Sequence, residues 1–178
     1  MITFTSLGGL SFKCVDGSKP LIVFPEKSSG KDDVITLLSS PEETTTPGTL
    51  SWPGEYNVAG VSIRGVGHAE GQQVSYVAEL DGVRCAMLSS PLQDLNEKQI
   101  EMMGEIDVLV IPADETKLAQ KLVDEFDPRI LLLVPSKDAN ALSSISKAVG
   151  AKPENSGAEY KIKGSLPMEG REVWVLRK

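Results

Sequence analysis

Few side chains in this sequence can do chemistry, and they are scattered. His68 is the only histidine among 178 residues, and it sits in Gly65-Val66-Gly67-His68-Ala69-Glu70-Gly71, whose glycines predict a loop. An acid–base histidine needs a group that orients it, and no nearby residue offers one. The expectation is an imidazole in solvent or on a backbone carbonyl, with a remnant substrate-binding group as the functional alternative. Glu42 and Glu43 could hold a hard cation, but Mg²⁺ or Ca²⁺ needs more oxygen ligands than this stretch supplies, so the pair reads as exposed surface. Ser39-Ser40 and Ser89-Ser90 each follow an apolar strand. A serine nucleophile needs a base within hydrogen-bond reach, and only His68 could serve Ser90. Lys13, Lys137 or Ser136 could bind an anion, although single lysines are usually solvated. The glycines form no strand–GxGxxG–helix unit, which argues against a dinucleotide site. Trp52-Pro53 opens a turn; the indole is expected to pack over a sheet edge rather than stack on a ligand, and an exposed one would suggest a protein interface.

Composition narrows the classes. The formal charge is −7 and 40% of residues are hydrophobic, enough for one filled domain over residues 1–178. Acidic and basic residues are interleaved, and Arg64, Arg84, Arg129, Arg171 and Arg177 form no stripe in the sequence, so nucleic acid is not an expected partner. No stretch approaches the ~18 apolar residues of a membrane helix, and the first residues lack the pattern of a cleaved signal. Cys14 and Cys85 lie in separate apolar runs, as buried reduced thiols do, and the expected location is the cytoplasm.

The elements that must position these groups follow from hydrophobic period. Residues 2–7, 10–15 and 21–24 read as strands, and 34–38 as a strand buried on both faces. Residues 39–48 are loop-forming. Strands are expected at 56–58, 61–66, 74–80 and 83–88, the last two joined by the Asp81-Gly82 hairpin turn. The period then changes. Asn96 with Gln99 forms a capping box, and helical spacing continues through Leu118, Leu122, Val123 and Phe126 and again through Leu142, Ile145 and Val149. These helices alternate with buried strands at 107–111 and 130–134. Residues 151–157 read as a loop and 172–176 as a closing edge strand.

Several segments in this order resemble the metallo-β-lactamase superfamily, and within it small bacterial metal-dependent hydrolases similar to ascorbate-phosphate lactonase. They are Leu7-Gly8-Gly9-Leu10-Ser11-Phe12, Asp33-Val34-Ile35-Thr36-Leu37-Leu38-Ser39, Pro53-Gly54-Glu55-Tyr56, Gly60-Val61-Ser62-Ile63-Arg64-Gly65-Val66, Leu80-Asp81-Gly82-Val83-Arg84, Gly104-Glu105-Ile106-Asp107-Val108-Leu109-Val110-Ile111-Pro112, Asp127-Pro128-Arg129-Ile130 and Leu166-Pro167. The likeness spans nearly the whole chain. It implies an α/β fold, a four-layer αβ/βα sandwich with two mixed sheets flanked by helices and any site at the edge between the sheets. It also implies hydrolysis by zinc or manganese held in a His-x-His-x-Asp-His loop, with further histidines and a bridging aspartate after later strands. The loop positions here read Ser39, Pro41, Glu43 and Thr44. Gly8-Gly9 stands where Gly-His would, Ser90 where the bridging aspartate would and Pro135 where the late histidine would.

Hydroxyls and prolines do not grip zinc, so no metal or other cofactor is expected, and no residue stands out as catalytic beyond the candidates Glu43, His68 and Ser90. The favoured reading is a catalytically degenerate member, a pseudoenzyme serving as a binding or structural module with a protein partner or as a homo-oligomer. The alternatives are a hydrolase of small phosphorylated or lactone-type substrates with a reduced site, and a sensor binding a small molecule in the former cleft.

Overall fold

The computed structural model describes residues 1–178. Fourteen strands run in chain order as β1 (Ile2–Gly8), β2 (Ser11–Val15), β3 (Leu21–Val23), β4 (Ile35–Leu37), β5 (Thr49–Leu50), β6 (Gly54–Val58), β7 (Val61–His68), β8 (Gln73–Leu80), β9 (Val83–Met87), β10 (Val108–Ala113), β11 (Ile130–Pro135), β12 (Ser156–Gly157), β13 (Glu159–Ile162) and β14 (Glu172–Leu176). Three helices, α1 (Glu97–Met103), α2 (Thr116–Phe126) and α3 (Ala139–Ala148), alternate with the later strands.

The strands form two mixed sheets. Sheet A has the order β13-β1-β2-β3-β4-β5 and sheet B the order β12-β14-β11-β10-β9-β8-β7-β6. Within sheet B the first half of the order is parallel and the β9-β8-β7-β6 half is antiparallel. Alternation along each strand sorts its side chains into two cores. Val108 and Val110 of β10, and Ile130 and Leu132 of β11, meet Phe4, Phe12, Leu21 and Ile35 of sheet A between the sheets. Leu109, Ile111, Leu131 and Leu133 point the other way, onto Met103, Leu122, Phe126 and Ile145 of the helices. Parallel strands covered on both faces read as unbroken apolar runs, which is why β10 and β11 show no polar alternation.

Local chemistry starts and stops the helices. Asn96 and Gln99 close the expected capping box on α1. Glu115 and Asp138 cap α2 and α3, and Asp127, left-handed at φ 42°, ends α2 ahead of Pro128. α1 has no basic residue in its last turn, and two arginines from sheet B supply the missing donors. Arg64 donates to Met102 O at 2.9 Å, and Arg84 to Met103 O at 2.6 Å and to Glu105 O at 2.9 Å. Arg64 and Arg84, separate in the sequence, therefore do converge, on the negative end of a short helix.

Other differences from the sequence reading have plain causes. Residues 151–157 were expected as loop, but Ser156–Gly157 pairs with β14, so 172–176 lies inside sheet B and is not its edge. β13 was not anticipated, because four residues reading Glu-Tyr-Lys-Ile carry too short an alternation. All the helices that flank the sandwich lie on sheet B; the outward side chains of sheet A, among them Thr3, Thr5 and Lys13, are half-buried with no helix over them.

Candidate functional site

The rim between the two sheets is where the resemblance places a reaction centre, and here its loops are bonded to one another. The segment after β4 lies down on β8. Val74 N donates to Ser39 O at 2.8 Å, and Tyr76 Oη reaches both Leu38 O at 2.6 Å and Leu50 O at 2.9 Å. Further along, Glu42 N donates to Ser51 Oγ at 3.1 Å and Trp52 Nε1 to Glu42 O at 3.0 Å. The strap ends against two glycines of β7. A Cβ on Gly65 would sit 2.9 Å from Trp52 O and one on Gly67 2.8 Å from Pro53 Cγ, so only glycine lets the strap close there.

Beneath the strap the rim is filled by aromatic rings. Phe24 stacks edge-on against Phe12 at 6.4 Å between centroids and lies 6.1 Å from Tyr76. Its backbone is left-handed at φ 51°, which a side chain other than glycine seldom adopts. The crevice left beside it measures about 10 Å³ and is bounded by Leu10, Phe12, Leu88, Val110 and Ile111 among others, at or below the space one water needs. Met87 is fully buried in the same inter-sheet core.

His68 is neither in a loop nor in solvent. It is the last residue of β7 and only 5% exposed. Strand alternation puts it, with Val66, on the helix-facing side of sheet B, away from the inter-sheet rim. Its Nε2 lies 2.8 Å from Ser75 Oγ, not on a backbone carbonyl. Ser75 Oγ also accepts from Ser89 N at 2.9 Å and lies 3.2 Å from Ser89 Oγ, while Gln73 Nε2 donates to Ser89 Oγ at 2.9 Å and to Pro91 O at 2.8 Å. His68 Nδ1 finds no partner. Burial lowers the imidazole below its ordinary 6.5, because a charged ring there would hold an unpaired N–H out of water. The sequence reading missed Gln73, Ser75 and Ser89. Their signal was an alternation: Gln73 and Ser75 alternate with Val74 and Tyr76, so β8 begins with one polar and one apolar face.

The three candidates are not brought together, and no hydrogen bond joins any two of them. Glu43 is exposed on the strap. Glu42, expected to be exposed beside it, instead turns inward, one carboxylate oxygen accepting from Thr46 Oγ1 at 2.8 Å and the other buried without a partner. Ser90 Oγ donates to Asp114 Oδ2 at 2.8 Å, and Leu92 N reaches the same oxygen at 2.9 Å, so that hydroxyl holds the loop after β9. Ser136, next to Pro135, likewise donates to Ala113 O at 2.7 Å. No three His, Cys, Asp or Glu side chains converge on a common point.

Two mixed sheets face to face, with helices on the outer face of one of them and loops gathered at one rim, define the metallo-β-lactamase type of fold. Residues 27–133, more than half of the chain, match the family described as Beta-lactamase superfamily domain, and the chain belongs to that family. Its backbone is similar to that of a candidate Zn-dependent hydrolase of the metallo-β-lactamase superfamily from Thermotoga maritima, at 21% identity over 99% of both chains with a TM-score of 0.76. A candidate metal-dependent hydrolase from Parabacteroides distasonis matches at 14% identity over 98% of this chain and 92% of that one, TM-score 0.65. A metallo hydrolase from Ignicoccus hospitalis matches at 12% over 99% and 95%, TM-score 0.55. At these identities the likeness is one of fold. No curated protein matches the sequence. No helix is long and apolar enough to cross a membrane.

Proposed function

We propose that this chain is a catalytically silent member of its family, a binding or structural module whose partner is protein. The observation that carries the reading is the closed rim. Ser39, Pro41, Thr44, Ser90 and Pro135 stand at the positions where the resemblance implies ligands, and the donor set is wrong for zinc or manganese, which want imidazole or carboxylate. Glu43 is the one exception and it stands alone. The volume a metal and substrate would need is taken by Phe24 and the strap. The residues do not fit the family's metal. A hydrolase confined to Glu43, His68 and Ser90 finds no support either, because a nucleophile–base pair must be in contact and open to substrate. Trp52, half exposed on the strap, is the kind of side chain that protein interfaces enrich.

The test is metal analysis of protein purified from zinc- and manganese-supplemented medium, with hydrolysis of p-nitrophenyl phosphate, bis-p-nitrophenyl phosphate and a simple lactone. The expected outcome is substoichiometric metal, no turnover and a melting temperature unmoved by EDTA. Stoichiometric metal whose removal abolishes turnover and lowers the melting temperature would end the proposal.

A further inference from the structure

Between α3 and β12, the two-residue edge of sheet B, runs an open groove of about 410 Å³. Leu142, Ala151 and Val175 give it an apolar floor. Lys147, Lys152 and Arg177 stand along it, and no carboxylate lines it. In a chain with 25 acidic side chains against 18 basic ones, this inverts the overall charge locally. None of the three cations is ion-paired; the ion pairs of the fold engage the amino terminus, Arg64, Lys121, Lys161 and Arg171. Arg177 makes one side-chain hydrogen bond, to Ser156 Oγ at 3.3 Å. Lys147 also complements the carbonyl end of α3, but Lys152 and Arg177 lie outside the helix and have no such duty. The lining follows α3 from Ala139 to Lys147, roughly 12 Å at a helical rise of about 1.5 Å per residue, the length of about four residues of extended chain.

We propose that this groove docks an acidic amphipathic peptide segment of a partner protein, its carboxylates on Lys147, Lys152 and Arg177 and its aliphatic side chains on the Leu142–Ala151–Val175 floor. The proposal rests on the binding-module reading and names the chemistry of the partner. The floor separates it from simple anion attraction, since a free anion would use the cations alone. The three cations would also give the contact a marked salt dependence.

The experiment is fluorescence anisotropy of the intact protein with fluorescein-labelled Glu-Leu-Asp-Val-Glu-Leu at low ionic strength. Three comparisons run beside it: Lys-Leu-Lys-Val-Lys-Leu, Glu-Ser-Asp-Ser-Glu-Ser, and inorganic phosphate as competitor. The acidic amphipathic peptide should bind saturably, the basic one not at all and the serine version more weakly. Lys147→Glu/Lys152→Glu/Arg177→Glu should weaken binding at least about tenfold, whereas Lys27→Glu/Lys98→Glu/Lys117→Glu, elsewhere on the surface, should leave it within about twofold. Should the triple variant fold poorly by urea denaturation, Lys152→Glu alone, fully on the surface, should still weaken binding about threefold. Absence of saturable binding, equal binding of the serine peptide, full displacement by millimolar phosphate, or indifference to Lys152→Glu would each overturn the proposal. These failures differ from failure of the binding-module reading, which would show as metal-dependent turnover whatever the peptide does.

Discussion

Replacing Tyr76 by Phe isolates the bond that ties the strap to sheet B. The Tyr76 ring is fully buried, and its hydroxyl is shared between Leu38 O at 2.6 Å and Leu50 O at 2.9 Å. Leu50 O keeps a second donor, Leu38 N at 3.0 Å, so the substitution orphans mainly Leu38 O. A part-buried carbonyl without a donor costs about 1–2 kcal/mol. For a chain of this size each kcal/mol lowers the melting temperature by about 2–4 °C, so the expected drop is about 2–8 °C. The urea midpoint should fall with the slope m unchanged, because the ring and the surface exposed on unfolding remain the same. Tyr56→Phe is the internal comparison. It removes a 2.7 Å bond to Trp52 O on the exposed end of the strap, and water can replace that donor, so it should cost no more than about 0.5 kcal/mol. If Tyr76→Phe cost no more than Tyr56→Phe, the strap would be held by something other than the phenol and the account of a closed rim would fail.

Three further outcomes follow from the same geometry. Gly67→Ala pushes a Cβ to 2.8 Å from Pro53, so it should lose about 1–3 kcal/mol in urea denaturation and shift the Trp52 emission; unchanged stability and emission would mean the strap does not rest on β7. Phe24→Ala should cost about 2–4 kcal/mol, less than for a wholly enclosed ring because Phe24 is half-buried, and the Cβ that alanine keeps leaves the left-handed backbone as strained as before; a stabilised variant would refute the ring as a filler. His68 is held below its ordinary 6.5 by burial, so below that pH the unfolded chain binds a proton the folded one does not. Its contribution is intact above pH 6.5 and is lost as the pH falls, with a slope of at most about 1.4 kcal/mol per unit. His68→Gln, which keeps a polar nitrogen facing Ser75, should flatten stability between pH 6.5 and 5 relative to the native chain; parallel profiles would contradict the buried neutral imidazole.

How much of this was legible from residues alone depended on the range of the interaction. Asp81-Gly82 with its positive φ values, the Asn96–Gln99 box and the unbroken runs of β10 and β11 are local signals, and each appears where the pattern put it. The order of β-rich and helical segments carried the superfamily fold in the same way. The short strands β12 and β13 were not legible, because they owe their form to the partners β14 and β1. At the rim, residue types singled out the candidates Glu43, His68 and Ser90 but not where their side chains turn. His68 crossed to the helix-facing side because β7 runs two residues past the expected end, and alternation then decides its face. The Ser75–Ser89 contact joins residues fourteen apart, one on β8 and one just past the end of β9, and only the β8–β9 pairing reveals it.

Sheet A draws on both halves of the chain: β1 is flanked by β2 and by β13, with Phe4 opposite Tyr160. On the ribosome the first five strands emerge together, yet the flank of β1 stays unpaired until nearly all of sheet B has been translated. A nascent chain stalled before residue 159 would thus present a bare, threonine-rich margin to other chains, the template for edge-to-edge aggregation. Closing that gap is a long-range event, so folding should be slow and should draw on chaperones.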